Sequence, residues 1–168
     1  MTAGAIARWA RRLASAELRA TIGLRLFGLA RIPLLFFVRP QVQEISAERI
    51  VVRVPLRRRT RNHHGSMYFG ALAVGADCAA GALAMHLMRQ HPERISLIFG
   101  EFSAAFHKRA EGDVEFRCTE GREIAGLIAQ AAASGERVSM PVHVVATVPS
   151  LGAEPVATFT LTLSLKRA

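Results

Sequence analysis

The sequence predicts an α+β domain in which a curved antiparallel sheet wraps around one long central helix, with an extra helical segment at the N-terminus. Two patterns carry this. From Ala71 to Met88 the chain is Ala, Leu, Val, Gly and Met, broken only by Asp77, Cys78 and His86, and a helix apolar on all sides must be buried on all sides. From Val156 to Leu165 the chain alternates, Phe159, Leu161, Leu163 and Leu165 against Thr158, Thr160, Thr162 and Ser164, which is a strand with one face turned inward. A sheet folded round a helix accommodates both.

In chain order, residues 5–19 place Ile6, Trp9, Leu13 and Ala16 on one helical face and Arg8, Arg11, Arg12 and Arg19 on the other. Such a basic amphipathic helix packs over the domain's own open sheet face or lies on an anionic membrane surface; the first reading is favoured. Arg19, Arg25 and Arg31 interrupt the apolar run before a signal-peptide core can form. Ala20 to Val38 continues apolar, and Pro33 marks the expected end of helix. Gln41–Ser46 and Arg49–Pro55 alternate and form a hairpin or one bent strand, with Ile50, Val52 and Val54 on one face. After the central helix, which should end near Arg89, come a strand from Ile95 to Lys108 with a bulge at Gly100–Glu101, a strand from Asp113 to Thr119, a short helix over Glu120–Ser134, and strands over Val138–Val148 and Val156–Leu165. The division expected is a helical extension over 1–38 and a main domain over 39–168.

Composition narrows the function. At 168 residues and 51% hydrophobic the chain is one domain with a sizeable core. A net charge of +9 would ordinarily raise nucleic acid as a partner. Here nearly all the cations are arginine, with lysine only at 108 and 166, and alanine is abundant. That is a chain-wide habit rather than a phosphate-binding design, and zinc-finger spacing, an aromatic ribonucleoprotein motif and a Lys-rich tail are all missing, so nucleic acid is not expected. Cys78 and Cys118 have neither metal-ligand nor disulfide-scaffold spacing and read as reduced core residues of a cytoplasmic protein. His63 and His64 stand without acidic or Cys partners at motif spacing, so no metal and no cofactor is expected.

The informative stretch is Arg61 to Gly81. A carboxylate at Asp77 inside an oily helix costs several kcal/mol unless it is paired or its raised pKa is useful. Gly70 lies seven residues earlier, back on the same helical face within about 20°. If the helix starts near Gly70, its unpaired N–H groups suit a carbonyl oxygen gaining charge. Asn62-His63-His64-Gly65-Ser66 reads as a turn, with Ser66 as N-cap or first-turn residue. Ser66 has no Gly-x-Ser-x-Gly frame, and the carboxylate beside Cys78 would raise its pKa, so neither is expected as a nucleophile.

Asn62, Gly65, Ser66, Gly70 and Asp77 stand at the spacing found in hotdog-fold acyl-CoA thioesterases of the phenylacetate-pathway type. The chain resembles still more closely a hotdog family of unknown function with an Arg-Asn start and an aromatic before the helix glycine. The resemblance runs from about residue 33 to the C-terminus, its specific motif confined to 61–81. Phe106-His107-Lys108-Arg109-Ala110 is similar to the Phe-x-Arg-Pro-Ala strand end of those thioesterases. It implies a hotdog fold, a homodimer or dimer of dimers with sites at the interface, and hydrolysis of an acyl-CoA or acyl-carrier-protein thioester in fatty acid metabolism. By that likeness Asp77 is base or nucleophile and Asn62 positions water or carbonyl. Gly70 and Phe69 supply the oxyanion site, with Tyr68 and Ser66 beside the substrate. Lys108, Arg109, Arg58 and Arg59 are candidates for the CoA phosphates. Tyr68-Phe69-Gly70 replaces the His-Gly-Gly usual in the thioesterases. The alternative is therefore a non-catalytic acyl-CoA or lipid-binding module, with peripheral membrane contact through residues 5–19.

Overall fold

Ser15 accepts the Leu18 N–H at 3.2 Å and opens helix α1 (Ala16–Arg31) in the computed structural model, which describes residues 15–168. The amphipathic helix expected over 5–19 therefore falls largely outside the described residues. Pro33 does more than end a helix. Ile32 takes φ −138°, ψ 81°, outside the helical region that proline disfavours for the residue before it, and Pro33 then occupies the first position of α2 (Pro33–Val38), where its missing N–H costs nothing.

The hairpin reading of the next stretch holds: β1 (Gln41–Ile45) pairs antiparallel with β2 (Ile50–Val54), and Ile50, Val52 and Val54 are fully buried. The oily run becomes α3 (Phe69–Met88), with Tyr68 at the N-cap position and Arg89 as C-cap, so it starts one residue before Gly70. Then come β3 (Ile95–Phe106), β4 (Val114–Cys118), α4 (Gly121–Ser134), β5 (Val138–Thr147) and β6 (Pro155–Arg167). All six strands form one antiparallel sheet in the order β1-β2-β4-β5-β6-β3.

Helix α3 lies against β2, β4, β5 and β6. By length and composition it could cross a membrane, but its Ala71, Leu72, Ala76, Ala80, Leu83 and Ala84 are buried against the sheet side of the core. Its small residues let it sit close: a Cβ at Gly75 would run into the ring of Phe116, a fully buried side chain of β4. That contact sets the helix against the middle of the sheet.

The two edges of the sheet are treated differently. On β1 the Val42 N–H donates to Thr21 Oγ1 of α1 at 2.8 Å, and Arg25 Nε donates to the Pro40 carbonyl at 3.1 Å, so a helix caps that edge. On the other side β3 is bonded only to β6 among the described strands. Its register slips between Phe99 and Phe102, the bulge anticipated at Gly100–Glu101. Before the slip Leu97 and Phe99 pair with Leu165 and Leu163; after it Phe102, Ala104 and Phe106 pair with Leu161, Phe159 and Ala157. All five partners are buried, so the bulge keeps the apolar side chains of β3 facing inward across an odd step. Yet Phe102 and Phe106 are 45% and 52% exposed. They face inward over a part of the sheet that nothing among the described residues covers.

Candidate functional site

Asp77 projects from the middle of α3 into a cavity of about 380 Å³, walled by Leu24 and Phe27 of α1, Ile32, Met85, and Leu97 and Phe99 of β3, with Cys78 and Gly81 beside it. Its carboxylate makes no hydrogen bond or ion pair with any described residue. Burial raises its pKa above the ordinary carboxylate range, because desolvation penalises the charged form and nothing opposes it. Burial, aided by the Asp77 charge, pushes the neighbouring Cys78 thiol up strongly, and burial pushes Cys118 up to about 11. Neither sulfur is a nucleophile at neutral pH, and Asp77 is the one carboxylate in the cavity lining.

The turn before α3 is built by Asn62. Its Oδ1 accepts the His64 N–H at 2.9 Å, its Nδ2 donates to Ser66 Oγ at 3.1 Å, and its backbone N–H donates to the Ser66 carbonyl at 2.8 Å. Gly65 supplies the left-handed step, at φ +87°. Ser66 is buried inside this turn and is not the helix cap; Tyr68 takes that position without a side-chain hydrogen bond, which corrects the expected capping role. The turn is anchored from both sides. Met67 N–H donates to the Ala110 carbonyl at 2.8 Å, and Tyr68 N–H to the Thr60 carbonyl at 2.8 Å. Thr60 is fully buried, and its hydroxyl donates to the Pro55 carbonyl while accepting the Arg57 N–H. Neither Thr60 nor Ala110 stood out in the sequence, since both act through backbone carbonyls that any residue type carries.

At the start of α3 the Ala71 and Leu72 amides bond back to the Tyr68 carbonyl, whereas those of Phe69 and Gly70 have no partner among the described residues. They are the orphan donors of a helix N-terminus. The exposed Tyr68 ring packs over Gly70, where a Cβ would meet it at 2.6 Å. Phe69 is exposed as well, its ring 4.7 Å from that of Tyr68.

Asn62, Ser66, Tyr68, Phe69 and Gly70 are thus brought together at the helix start. None of them lines the Asp77 cavity. Seven residues return to the same face but also climb two turns, about 10 Å along the axis. Of the four phosphate candidates, Arg58 and Arg59 share an open groove with Arg25, Arg39 and Arg57. Lys108 and Arg109 lie beyond the end of β3, ion-paired with Glu154 and Glu111, and do not line that groove.

An antiparallel sheet laid across one long central helix is the hotdog architecture. Residues 24–164 match the family described as Domain of unknown function (DUF4442), and the chain belongs to it. Solved structures agree on the fold. A Chlorobaculum tepidum protein of unknown function is 12% identical with a TM-score of 0.78, covering 90% of this chain and 97% of its own. A Pseudomonas aeruginosa protein described as of unknown function and a "probable thioesterase" is 22% identical with a TM-score of 0.71, covering 88% and 96%. A Haemophilus influenzae thioesterase is 14% identical with a TM-score of 0.59, covering 84% and 88%. No protein of curated function matches the chain.

Proposed function

We propose that the protein hydrolyses an acyl thioester carried on coenzyme A or an acyl-carrier protein, with Asp77 as general base or nucleophile. The observation that carries this reading is the Asp77 carboxylate, unpartnered at the wall of an apolar cavity, where a purely structural carboxylate would have been paired. As base, Asp77 takes a proton from water as the water oxygen bonds to the thioester carbonyl carbon. The carbonyl electrons move onto oxygen, which the Phe69 and Gly70 amides stabilise. Collapse breaks the carbon–sulfur bond, and the thiolate leaves with a proton. As nucleophile, an Asp77 oxygen bonds to the carbonyl carbon and the thiolate is expelled as the carbon–sulfur bond breaks, giving a mixed anhydride that water then cleaves to the free acid and the Asp77 carboxylate.

Reacting groups must lie about 3 Å from a shared carbonyl, and the two ends of this machinery are about 10 Å apart on one helix. We therefore assign the oxyanion amides acting with a given Asp77 to a second copy of the chain, joined at the open β3 edge. Leu97 and Phe99 of that strand already wall the cavity, and the inward-facing Phe102 and Phe106 await cover. The carrier's phosphates then have cations available at Lys108 and Arg109, just ahead of Ala110, whose carbonyl holds the Met67 N–H before α3.

One observation favours a second reading, a non-catalytic acyl-binding module: the Tyr68 ring covers Gly70, where the reaction needs close approach. A panel of acyl-CoA thioesters of rising chain length, plus aromatic ones, assayed with a thiol-reactive dye, separates the two. Thiol release by wild type supports hydrolysis. Binding of acyl-CoA with no release across the whole panel establishes the binding module.

A further inference from the structure

The helical pair at the N-terminus is apolar on the side that meets solvent. Half of the large exposed apolar side chains among the described residues lie between positions 22 and 37. On α1, Ile22, Leu26 and Leu29 fall at i, i+4 and i+7 on one stripe and are 46%, 60% and 57% exposed; α2, packed on α1, adds Leu34 and Phe37. The core does not need this stripe, because α1 already uses Thr21, Leu24, Phe27 and Gly28 to sit on β1, α2 and the core. An uncovered apolar face of this kind marks an interaction surface.

Cations adjoin it. Arg25, Arg39, Arg57, Arg58 and Arg59 line a groove of about 830 Å³ whose walls hold no carboxylate. Phe37 belongs to both features: it lines the groove, and the Arg59 guanidinium lies 5.4 Å from its ring centroid while donating to its carbonyl. Arg57 is drawn partly to Asp113 at 3.5 Å, whereas Arg39 and Arg58 have no ion pair among the described residues.

We propose that this face docks onto an anionic phospholipid bilayer, the α1–α2 stripe entering the boundary between headgroups and acyl chains and the arginine groove taking lipid phosphates. A second copy of the chain does not suit the surface. A two-fold contact sets the same patch against itself, gathering both arginine grooves at one interface with no carboxylate in their walls to pair them, whereas a bilayer offers apolar matter and negative charge at the two depths this face presents. The net charge of +9 adds to the attraction. Ile32 is at once 42% exposed and part of the Asp77 cavity wall, so docking brings that cavity beside the acyl region; this last step rests on the thioesterase reading.

Sedimentation of the full chain with phosphatidylcholine vesicles, with and without phosphatidylglycerol, tests the docking without any use of hydrolysis. Pelleting is expected on phosphatidylglycerol vesicles at low salt, with release as salt rises. Leu26→Glu/Leu29→Glu and Arg58→Glu/Arg59→Glu should each lower partitioning by about tenfold or more with unchanged melting temperatures; Leu26→Gln/Leu29→Gln and Arg58→Gln/Arg59→Gln serve if either charge-reversed protein misfolds. Absence of pelleting at low salt overturns the proposal, as does undiminished pelleting of both folded variants. So does an oligomer that Leu26→Glu/Leu29→Glu dissociates, which would identify a second copy as the occupant. Loss of free coenzyme A binding in Arg58→Glu/Arg59→Glu with vesicle binding intact would give the groove to the nucleotide instead. The acyl-CoA panel reads the thioesterase proposal separately, so either can fail alone.

Discussion

Asp77 ties the proposed chemistry to stability in a single residue. Burial raises its folded-state pKa above the unfolded value of about 3.9, so between those two values the folded protein binds more protons than the unfolded chain. Stability then falls as pH rises through that window, and above it the ionised carboxylate is a standing cost. Asp77→Asn should therefore raise the melting temperature at neutral pH, with the gain vanishing below the unfolded pKa. The same substitution should lower thioester turnover by about two to four orders of magnitude and leave acyl-CoA affinity nearly unchanged. In wild type, kcat/KM should decline on the acid side with an inflection above the ordinary carboxylate value. A variant as active as wild type, or one less stable at neutral pH, would make Asp77 a structural residue. Tyr68 carries the complementary test: Tyr68→Ala uncovers Gly70 and should raise turnover in an enzyme limited by access to the helix end, but leave a binding module as silent as before.

Among the elements, the helix–sheet contact at Gly75 leaves no room for a side chain. Gly75→Ala forces the buried Phe116 ring to move, at a cost of about 1–3 kcal/mol readable as a lower urea midpoint. Phe116→Leu placed on that background should recover part of the loss, a coupling between touching residues. An unchanged midpoint in the single variant would mean the ring has room the structure does not show. What the sequence made legible follows the same division. The all-apolar run, the alternation of β6 and the bulge of β3 were readable because periodicity is written in side chains. The capping of the β1 edge by Thr21 and the anchoring of the Asn62 turn by Thr60 and Ala110 were not, since each joins distant positions through a bond with at least one backbone partner. Pro33 looked like a stop because proline ends helices; that it also begins one depends on the turn at Ile32. Ser66 resembled a cap, but its hydroxyl was claimed by Asn62 four residues away. The motif therefore located the helix start and its carboxylate, while the climb of two turns between them became evident only as a distance.

At the scale of the whole molecule, the asymmetry of the two sheet edges makes a definite demand. The β1 edge is satisfied by α1, so further strand pairing has to use β3, whose bulged, mainly exposed length presents both unpaired backbone groups and inward-facing phenylalanines. A pair of chains joined there would cover Phe102 and Phe106 and bring a second α3 start toward the Asp77 cavity. Phe102→Glu/Phe106→Glu would place two carboxylates on that contact. Light scattering should then report a monomer where wild type is a dimer, and far-ultraviolet circular dichroism should remain that of a folded chain, because both side chains are already about half exposed within one protomer. Thioester hydrolysis should fall together with the dimer, while the elements supplying Asp77 and the Gly70 amides persist in each separated chain. A monomeric variant that keeps full turnover would mean that one chain assembles the whole reaction, and the composite site would have to be abandoned.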